Sequence, residues 1–261
     1  MTILLEERRA GGVAWLTLNR PQRRNALDAE LIRALHAALL RLGADPACRV
    51  LVLAAAGTAF CAGADLEAMR ELGRGDPAAN RDDAAALAKL LLALHECPKP
   101  TIALVQGPAF GGGVGVTAAC DVALAGTEAG FRLPEVQLGV VPAVISPYVV
   151  AAIGTRQSSR YWLTGELLDA VRAAELGLVH EVVPTADLER RGLELAAQIA
   201  LGGPEALAAC KGLLRDVAGR RPGARLVAET SGLLARLRTG AEAQEGLSAA
   251  LEKRAPSWRT P

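Results

Sequence analysis

The sequence predicts an α/β fold in which buried parallel strands alternate with helices. Two short segments, Val50–Ala54 and Thr101–Val105, are almost wholly apolar, as expected for parallel strands that are covered on both faces. Each is followed by a turn rich in small residues and then by a helical pattern, so the strand–turn–helix unit occurs twice. From Val144 onward the pattern is mostly helical, which predicts a helical covering over the last third of the chain.

The other elements follow from hydrophobic periodicity and turn residues. The Gly11-Gly12 pair separates two strand-like segments and predicts a hairpin. Asp28 precedes a helical pattern and is placed to cap its N-terminus. Residues 73–80 contain two glycines, a proline and an asparagine, which predict a surface loop. We expect residues 131–141, which contain Pro134-Glu135, to form an irregular stretch. The remaining predicted elements are strands at Ile3–Glu7, Val13–Leu18, Val122–Ala125 and Leu178–Val183, and helices at Asp28–Leu42, from Leu66, and at Ala84–His95.

Length and composition indicate a large core and argue against several kinds of protein. With 261 residues, of which 51% are hydrophobic, the chain can bury a substantial core. The net charge is +1 and the basic residues are scattered, so we expect no nucleic-acid partner. No secretory signal and no apolar run of about 20 residues is present, so we expect a soluble protein and no membrane partner. Five cysteines without C-x-x-C spacing indicate reduced thiols and a cytoplasmic location.

The strongest functional signal is the segment Val105–Cys120, VQGPAFGGGVGVTAAC, in which three glycines separate a strand from a helix. Glycine adopts positive φ and has no Cβ, so a ligand atom can approach the backbone. N–H groups in the first turn of a helix lack intrahelical partners and suit an oxygen that is or becomes negative. A second small-residue turn, Ala59–Asp65, follows the other buried strand. Two such turns side by side would supply two N–H donors to one oxygen, which predicts an oxyanion site.

Several other site types are not supported by the sequence. The glycine run does not spell G-x-G-x-x-G, no G-K-[ST] follows it, and no G-x-S-x-G is present. His36, His95 and His180 lie in separate elements without triad or metal-ligand spacing. We therefore expect each histidine to be an ordinary surface residue and predict no metal site.

Six short motifs occur in order along the chain. They are Asn19-Arg20-Pro21…Arg24-Asn25-Ala26-Leu27, Phe60-Cys61-Ala62-Gly63-Ala64-Asp65-Leu66, Gly107-x-Ala109-x-Gly111-Gly112-Gly113, Cys120-Asp121, Pro134-Glu135-x-x-x-Gly139 and Glu252-Lys253-Arg254-x-Pro256. In this order they resemble the enoyl-CoA hydratase/isomerase, or crotonase, superfamily. The resemblance implies a core of ββα units wound into a spiral over residues 1–200. It also implies a C-terminal helical region, 201–261, that packs against neighbouring subunits in trimers, which often pair into hexamers.

The resemblance further implies an acyl-CoA substrate, with coenzyme A as part of that substrate and no separate cofactor. The backbone N–H groups of Ala64 and Gly112 would bind the thioester oxygen, and Glu135 would transfer the proton. Glu135 has apolar sequence neighbours, so burial should raise its pKa, although a helix-terminal carboxylate without chemistry is an alternative. Lys253 and Arg254 would lie near coenzyme A phosphates, in this subunit or a neighbouring one, or else belong to a solvated tail. The other implied coenzyme A or substrate contacts are Arg24, Ala26, Ala62, Asp65, Leu66 and Gly115.

Gly115 departs from the family pattern. By resemblance, typical hydratases carry a second glutamate two residues after the triple glycine, and here that position is Gly115. We expect the missing side chain to leave a space that tolerates an acyl chain with its own carboxylate. Water would then be held by that carboxylate, by Ser146 or by Tyr148. Met69, Leu72 and the predicted loop at residues 73–80 are expected to line the acyl pocket because they follow the first oxyanion turn.

The run E-V-Q-L-G-V-V-P-A-V-I-S-P-Y, residues 135–148, also departs from the ordinary short-chain hydratases. It resembles a bacterial subgroup similar to methylglutaconyl-CoA hydratases of leucine degradation, whose substrates carry a second carboxylate on a branched chain. The predicted activity is therefore hydration of an enoyl-CoA thioester. Three alternatives remain: a hydratase with an ordinary fatty-acyl substrate, a Δ3,Δ2-enoyl-CoA isomerase that works with one carboxylate, and a non-catalytic acyl-CoA-binding protein.

Overall fold

In the computed structural model, which describes residues 2–259, the chain forms nine strands and ten helices. The strands are β1 (Leu4–Arg9), β2 (Val13–Leu18), β3 (Val50–Ala55), β4 (Thr101–Val105), β5 (Ala109–Phe110), β6 (Val122–Gly126), β7 (Gly130–Arg132), β8 (Leu168–Asp169) and β9 (Glu181–Val183). The helices are α1 (Ala29–Ala44), α2 (Leu66–Arg74), α3 (Pro77–Glu96), α4 (Gly112–Ala119), α5 (Ser146–Thr164), α6 (Ala170–Leu176), α7 (Leu188–Ile199), α8 (Pro204–Val217), α9 (Ala224–Arg238) and α10 (Ala241–Leu251).

Six strands form one sheet in the order β1-β2-β3-β4-β6-β9, and β5, β7 and β8 form a small second sheet. The β1–β2 hairpin is antiparallel, as predicted, and the other neighbours in the large sheet are parallel. Leu51 pairs with Thr101, so β3 and β4 lie side by side and point the same way. The two small-residue turns that follow these strands therefore emerge next to each other at one edge of the sheet.

The two central strands are buried on both faces because their side chains alternate between two apolar layers. In β3, Leu51 and Leu53 contact the layer built with α1, α3 and α4. Val50 and Val52 contact the opposite layer, which includes side chains of β2 and α7. The predicted α/β fold with buried parallel strands is confirmed.

The prediction of a surface loop over residues 73–80 is wrong. Helix α2 ends at Arg74, and α3 already begins at Pro77. The Asp76 side chain accepts a hydrogen bond from the backbone N–H of Ala78 at 3.0 Å and caps α3. Proline suits the first turn of a helix because its φ is fixed there and no N–H is needed. The loop-like composition therefore marks the start of a helix.

Short strands account for the other differences from the prediction. The strand predicted from Leu178 begins at Glu181, and the stretch 131–141 contains the end of β7 and a 3-10 turn, Glu135–Leu138. The two-residue strand β8 had no signal of its own in the sequence. Such short elements depend on pairing with residues that are distant in the chain, here Phe131 with Leu168.

Helices α8, α9 and α10 pack against one another at the C-terminal end. Lys211 of α8 ties them to the core, because its ammonium group donates to Asp121 at 2.6 Å and to the Lys99 carbonyl at 3.0 Å. The boundary near residue 200 stays a prediction. Within the part of the chain that is described, none of the helices combines the length and the apolar character needed to cross a bilayer. These helices expose Leu214, Val227, Leu234, Leu247 and Leu251.

Candidate active site

The turns after β3 and β4 are in direct contact. The backbone N–H of Phe110 donates to the Cys61 carbonyl at 2.9 Å. A Cβ on Gly63 would lie 2.9 Å from the Phe110 carbonyl oxygen and 3.7 Å from the Gly112 nitrogen. The absence of a side chain at Gly63, whose φ is +91°, therefore allows the two turns to approach closely. The sequence-based expectation that the turns lie side by side is confirmed.

The backbone N–H groups of Ala64 and Gly112 have no hydrogen-bond partner among residues 2–259. Their neighbours are satisfied: Asp65 donates to the Leu27 carbonyl at 3.2 Å, and Gly111 donates to the Arg132 carbonyl at 2.9 Å. Ala64 and Gly112 also line the same cavity. Two unpaired N–H groups on residues that line one cavity are candidates to stabilise an oxygen on which negative charge develops. We call these two groups the oxyanion pair.

Gly111 could not be replaced without moving the candidate catalytic carboxylate. Its φ of 47° and ψ of −112° lie outside the regions that residues with a Cβ favour. A Cβ at this position would also lie 2.9 Å from Oε1 of Glu135. The glycine run therefore shapes the backbone and brings it close to Glu135.

Glu135 lies at the start of the 3-10 turn that follows Pro134, and its carboxylate enters the cavity. Its Oε2 atom is buried and accepts no hydrogen bond from any described residue. Burial raises the pKa of Glu135 above its ordinary value, while a hydrogen bond from its own backbone N–H lowers it. A desolvated carboxylate with a raised pKa is a stronger base than an ordinary glutamate and is suited to proton transfer.

The cavity around these groups has a volume of about 570 Å³ and is mostly apolar. Met69 and Leu72 contribute to its wall, where the sequence placed the acyl pocket. Besides Glu135, the polar or charged residues of the lining are Asn80, Asp83, Arg132 and Gln137. Of these only Asn80, at the end of the predicted loop, belonged to the expected acyl pocket. Arg132 was not predicted because the short strand β7 that carries it has no distinct signal in the sequence. The dimensions and the apolar walls fit a small acyl chain.

The prediction that Gly115 leaves a space is wrong. A Cβ on Gly115 would lie 2.2 Å from Cγ2 and 2.8 Å from Cβ of Ile145. Ile145 is only 3% exposed, so its side chain occupies the volume. Ser146 and Tyr148 do not line the cavity: the serine hydroxyl donates to the Ala143 carbonyl at 2.7 Å, and the tyrosine ring packs against His95. The structure therefore gives no support to water being held by either residue.

We expect Gly115→Ala to destabilise the protein by about 1–3 kcal/mol, because overpacking a core position costs about that much. Ile145→Ala should cost about 2–5 kcal/mol through loss of buried volume. Because the two side chains would share one space, the double variant should be more stable than the sum of the single effects predicts. Urea unfolding of the four proteins measures this coupling. Strict additivity would show that Ile145 does not limit position 115.

The other predicted contact residues are gathered at the edge of the first turn. The N–H of Ala62 donates to the Arg24 carbonyl at 2.9 Å. Asn25, which lies in the first motif but was not predicted as a site residue, is fully buried. Its side-chain Nδ2 donates to the Ala56 and Ala59 carbonyls at 2.9 Å each. Ala62 and Leu66 line the cavity, Arg24 is exposed, and Ala26 is buried. Asp65 caps α2 by accepting from the Glu67 and Ala68 N–H groups.

The chain's own fold does not bring Lys253 to this site. Lys253 is exposed in the turn after α10. The tail beyond it is fixed by Arg49, which donates to the Trp258 carbonyl at 2.8 Å. Arg49 immediately precedes β3, whereas the oxyanion turn follows the other end of that strand. A role for Lys253 near coenzyme A therefore requires the site of another subunit and stays a prediction.

An oxyanion pair beside a desolvated carboxylate defines an enzyme site for reactions that pass through an enolate-like oxygen. The chain belongs to the enoyl-CoA hydratase/isomerase family, whose model matches residues 8–261. The predicted superfamily and enzyme class are therefore confirmed. In the described residues, no three His, Cys, Asp or Glu side chains are grouped as metal ligands.

Several known proteins are similar to nearly the whole chain. A 2,3-dehydroadipyl-CoA hydratase from Escherichia coli is 36% identical over 248 residues, which are 95% of this chain and 95% of that protein. The crystal structure of an enoyl-CoA hydratase from Shewanella pealeana matches with a TM-score of 0.95 and 39% identity, covering 98% of this chain and 96% of that one. The structure of Pseudomonas aeruginosa AtuE matches with a TM-score of 0.93 and 39% identity, covering 99% of this chain and 100% of that one.

Proposed function

We propose that this protein hydrates the 2,3-double bond of an enoyl-CoA thioester. The observation that carries the proposal is the position of Glu135, which lines the cavity together with Ala64 and Gly112 and whose buried Oε2 atom accepts no hydrogen bond from any described residue. The thioester oxygen would accept hydrogen bonds from the oxyanion pair. Coenzyme A is then part of the substrate, and the reaction uses no separate cofactor.

The reaction needs one base that later acts as an acid. The Glu135 carboxylate accepts a proton from water as the water oxygen bonds to the β-carbon. The π electrons of the double bond shift, and the thioester oxygen becomes an enolate oxygen, which the oxyanion pair stabilises. The enolate then collapses, and the α-carbon takes the proton from Glu135. Water is thereby added across the bond, and Glu135 returns to its starting state.

Isomerisation of a 3-enoyl-CoA is the second candidate, because it needs no second glutamate. In this chain Ile145 fills the space beside Gly115, where the second glutamate of typical hydratases would lie. Glu135 would then remove a proton from the α-carbon, the same enolate would form, and the proton would return at the γ-carbon. This reaction also needs one carboxylate and the oxyanion pair. It differs from hydration in that the double bond moves and no water is added.

We further infer that the acyl chain is branched and carboxylated, as in a methylglutaconyl thioester. The sequence after Glu135 supports this substrate by resemblance, and the similar protein from Escherichia coli is named for an acyl chain with a second carboxylate. The exposed apolar side chains of α8–α10 support assembly into a homotrimer or homohexamer. The proposed location is the cytoplasm, and the proposed pathway is acyl-CoA breakdown.

Absorbance of the conjugated enoyl thioester distinguishes these functions. Incubation with a 2-enoyl-CoA should remove the absorbance through hydration, whereas isomerisation of a 3-enoyl-CoA would create it. A panel of crotonyl-CoA, hexenoyl-CoA and glutaconyl-CoA would rank the acyl groups by kcat/KM. Absence of turnover on every member and on a 3-enoyl-CoA, together with binding of a saturated acyl-CoA, would favour the non-catalytic alternative and contradict the proposal.

A further inference from the structure

Arg132 is a cation on the wall of the cavity without an anionic partner. Two of its donors are used: Nε donates to the Gly165 carbonyl at 2.7 Å, and Nη2 donates to Oε1 of Gln137 at 2.8 Å. A guanidinium has five N–H donors, so three remain. Within residues 2–259, Arg132 forms hydrogen bonds to these neutral oxygens and no ion pair. The nearby acid Glu166 pairs with Arg160 instead.

The contacts of Arg132 fix its side chain in one orientation. Gln137 is itself held, because its Nε2 donates to the Thr164 carbonyl at 3.0 Å. The backbone is also fixed, since the Arg132 carbonyl accepts from the N–H of Gly111 beside the oxyanion pair. The guanidinium is thus connected through its own main chain to the turn that would hold the thioester. A preorganised guanidinium suits a carboxylate, to which it can donate two parallel hydrogen bonds.

The other charged residues near the cavity are mostly acidic, so a bound anionic group is expected to lie near Arg132. Asp83 of α3 lines this cavity and also a second cavity of about 430 Å³. The second cavity contains further acids, Asp28, Asp65, Glu71 and Asp76, and none of the described residues in its lining is a lysine or an arginine. An acyl chain that ends in a carboxylate would be repelled there. Arg132 is the cation in the lining of the main cavity.

We propose that Arg132 binds the distal carboxylate of a dicarboxylic acyl-CoA and determines specificity for such thioesters. This inference rests on the proposed acyl-CoA function and adds the residue that would select the substrate. Gln137 is a positioning residue, since it acts on the substrate through Arg132. The expected substrates are 2-enoyl-CoA thioesters with a carboxylate at the end of a chain of about five or six carbons, short enough to fit a cavity of this size.

The test compares chains of equal carbon number that end in a carboxylate or a methyl group. The measured quantity is the ratio of kcat/KM for hex-2-enedioyl-CoA to that for hex-2-enoyl-CoA. Arg132→Met should lower this ratio about 10- to 100-fold, because a site built to bind a polar group loses its preference when the partner is removed. Arg132→Lys should restore part of it by returning the charge without the planar fork. Arg225→Met, which removes an exposed arginine of α9 outside the cavity, is the matched control and should leave the ratio unchanged.

Gln137→Glu provides a second variant that keeps the arginine. It would place a carboxylate where the Gln137 oxygen already accepts from Arg132, and this internal partner should also lower the ratio. A merely structural role for Arg132 would reduce kcat/KM for both substrates equally. An unchanged ratio in both Arg132→Met and Gln137→Glu would overturn the proposal.

Binding of saturated analogues separates this proposal from the proposed activity. Calorimetry should show that the wild type binds glutaryl-CoA about 10-fold or more tightly than pentanoyl-CoA, and that Arg132→Met abolishes the difference. This result without hydration would support Arg132 and contradict the hydratase function. Hydration of crotonyl-CoA without any preference for glutaryl-CoA would support the hydratase and overturn the role of Arg132.

Discussion

Glu135→Gln is expected to lower kcat/KM for the preferred 2-enoyl-CoA by about 10²–10⁴-fold, the usual contribution of a general acid–base group. Glutamine preserves the volume and polarity of the side chain but cannot accept and return the proton. The oxyanion pair is made of backbone groups on other turns, so binding of a saturated acyl-CoA should remain. Steady-state kinetics and calorimetry on the same preparation measure the two effects.

Glu128→Gln is the matched control for this variant. Glu128 is exposed in the turn between β6 and β7, and it does not line the cavity. The control should retain wild-type kinetics. If Glu135→Gln kept its full kcat, proton transfer would have to be assigned to another group.

The raised pKa of Glu135 also fixes the direction of two pH effects. The carboxylate must be ionised to accept a proton, so activity should fall as the pH drops through the raised pKa, above the 4.5 of an ordinary glutamate. In the same window the folded state binds the proton more tightly than the unfolded chain, so stability falls as the pH rises. Glu135→Gln removes the ionisable group and therefore this loss of stability with rising pH. Its melting temperature should exceed that of the wild type above the window and converge with it at lower pH.

The sequence predicted the oxyanion turns because their signal is local. An apolar run, a small-residue turn and a helical pattern occur twice, and parallel pairing of β3 with β4 brings the turns together. Glu135 was predicted through its motif, and its burial follows from its position in the fold. By contrast, residues 73–80 contain the start of α3, which is capped by Asp76. Composition alone does not distinguish such a capped helix start from a loop.

The contents of the cavity could not be predicted because they depend on contacts between distant residues. The absence of a side chain at Gly115 predicted an empty space, but the side chain of Ile145, thirty positions later, occupies that space. Arg132 appeared to be one basic residue among many, and its importance comes from what surrounds it. Its hydrogen bonds reach Gln137 and Gly165, and its place on the cavity wall depends on the short pairing of β5 with β7. Spacing along the chain contains none of this information.

Gly112→Pro is expected to lower kcat/KM by about 10²–10³-fold relative to Gly112→Ala, since loss of one oxyanion donor has about this effect. Both substitutions add a Cβ, which would lie 2.9 Å from Cδ1 of Leu27, a side-chain end that can move. Only proline also removes the N–H group and places a methylene where the thioester oxygen would lie. The alanine variant therefore controls for the added Cβ, and the remaining difference reports the loss of the donor together with the methylene in the oxygen's place.

Proline should be tolerated by the fold at this position. Gly112 is the first residue of α4, where the fixed φ of proline fits and the N–H has no intrahelical partner. The preceding residue, Gly111, lacks the Cβ that usually clashes with a following proline ring. Circular dichroism and thermal unfolding should thus show similar folding for the proline and alanine variants. Equal kcat/KM in the two folded variants would mean that the Gly112 N–H does not stabilise the transition state, and the assignment of the oxyanion pair would be wrong.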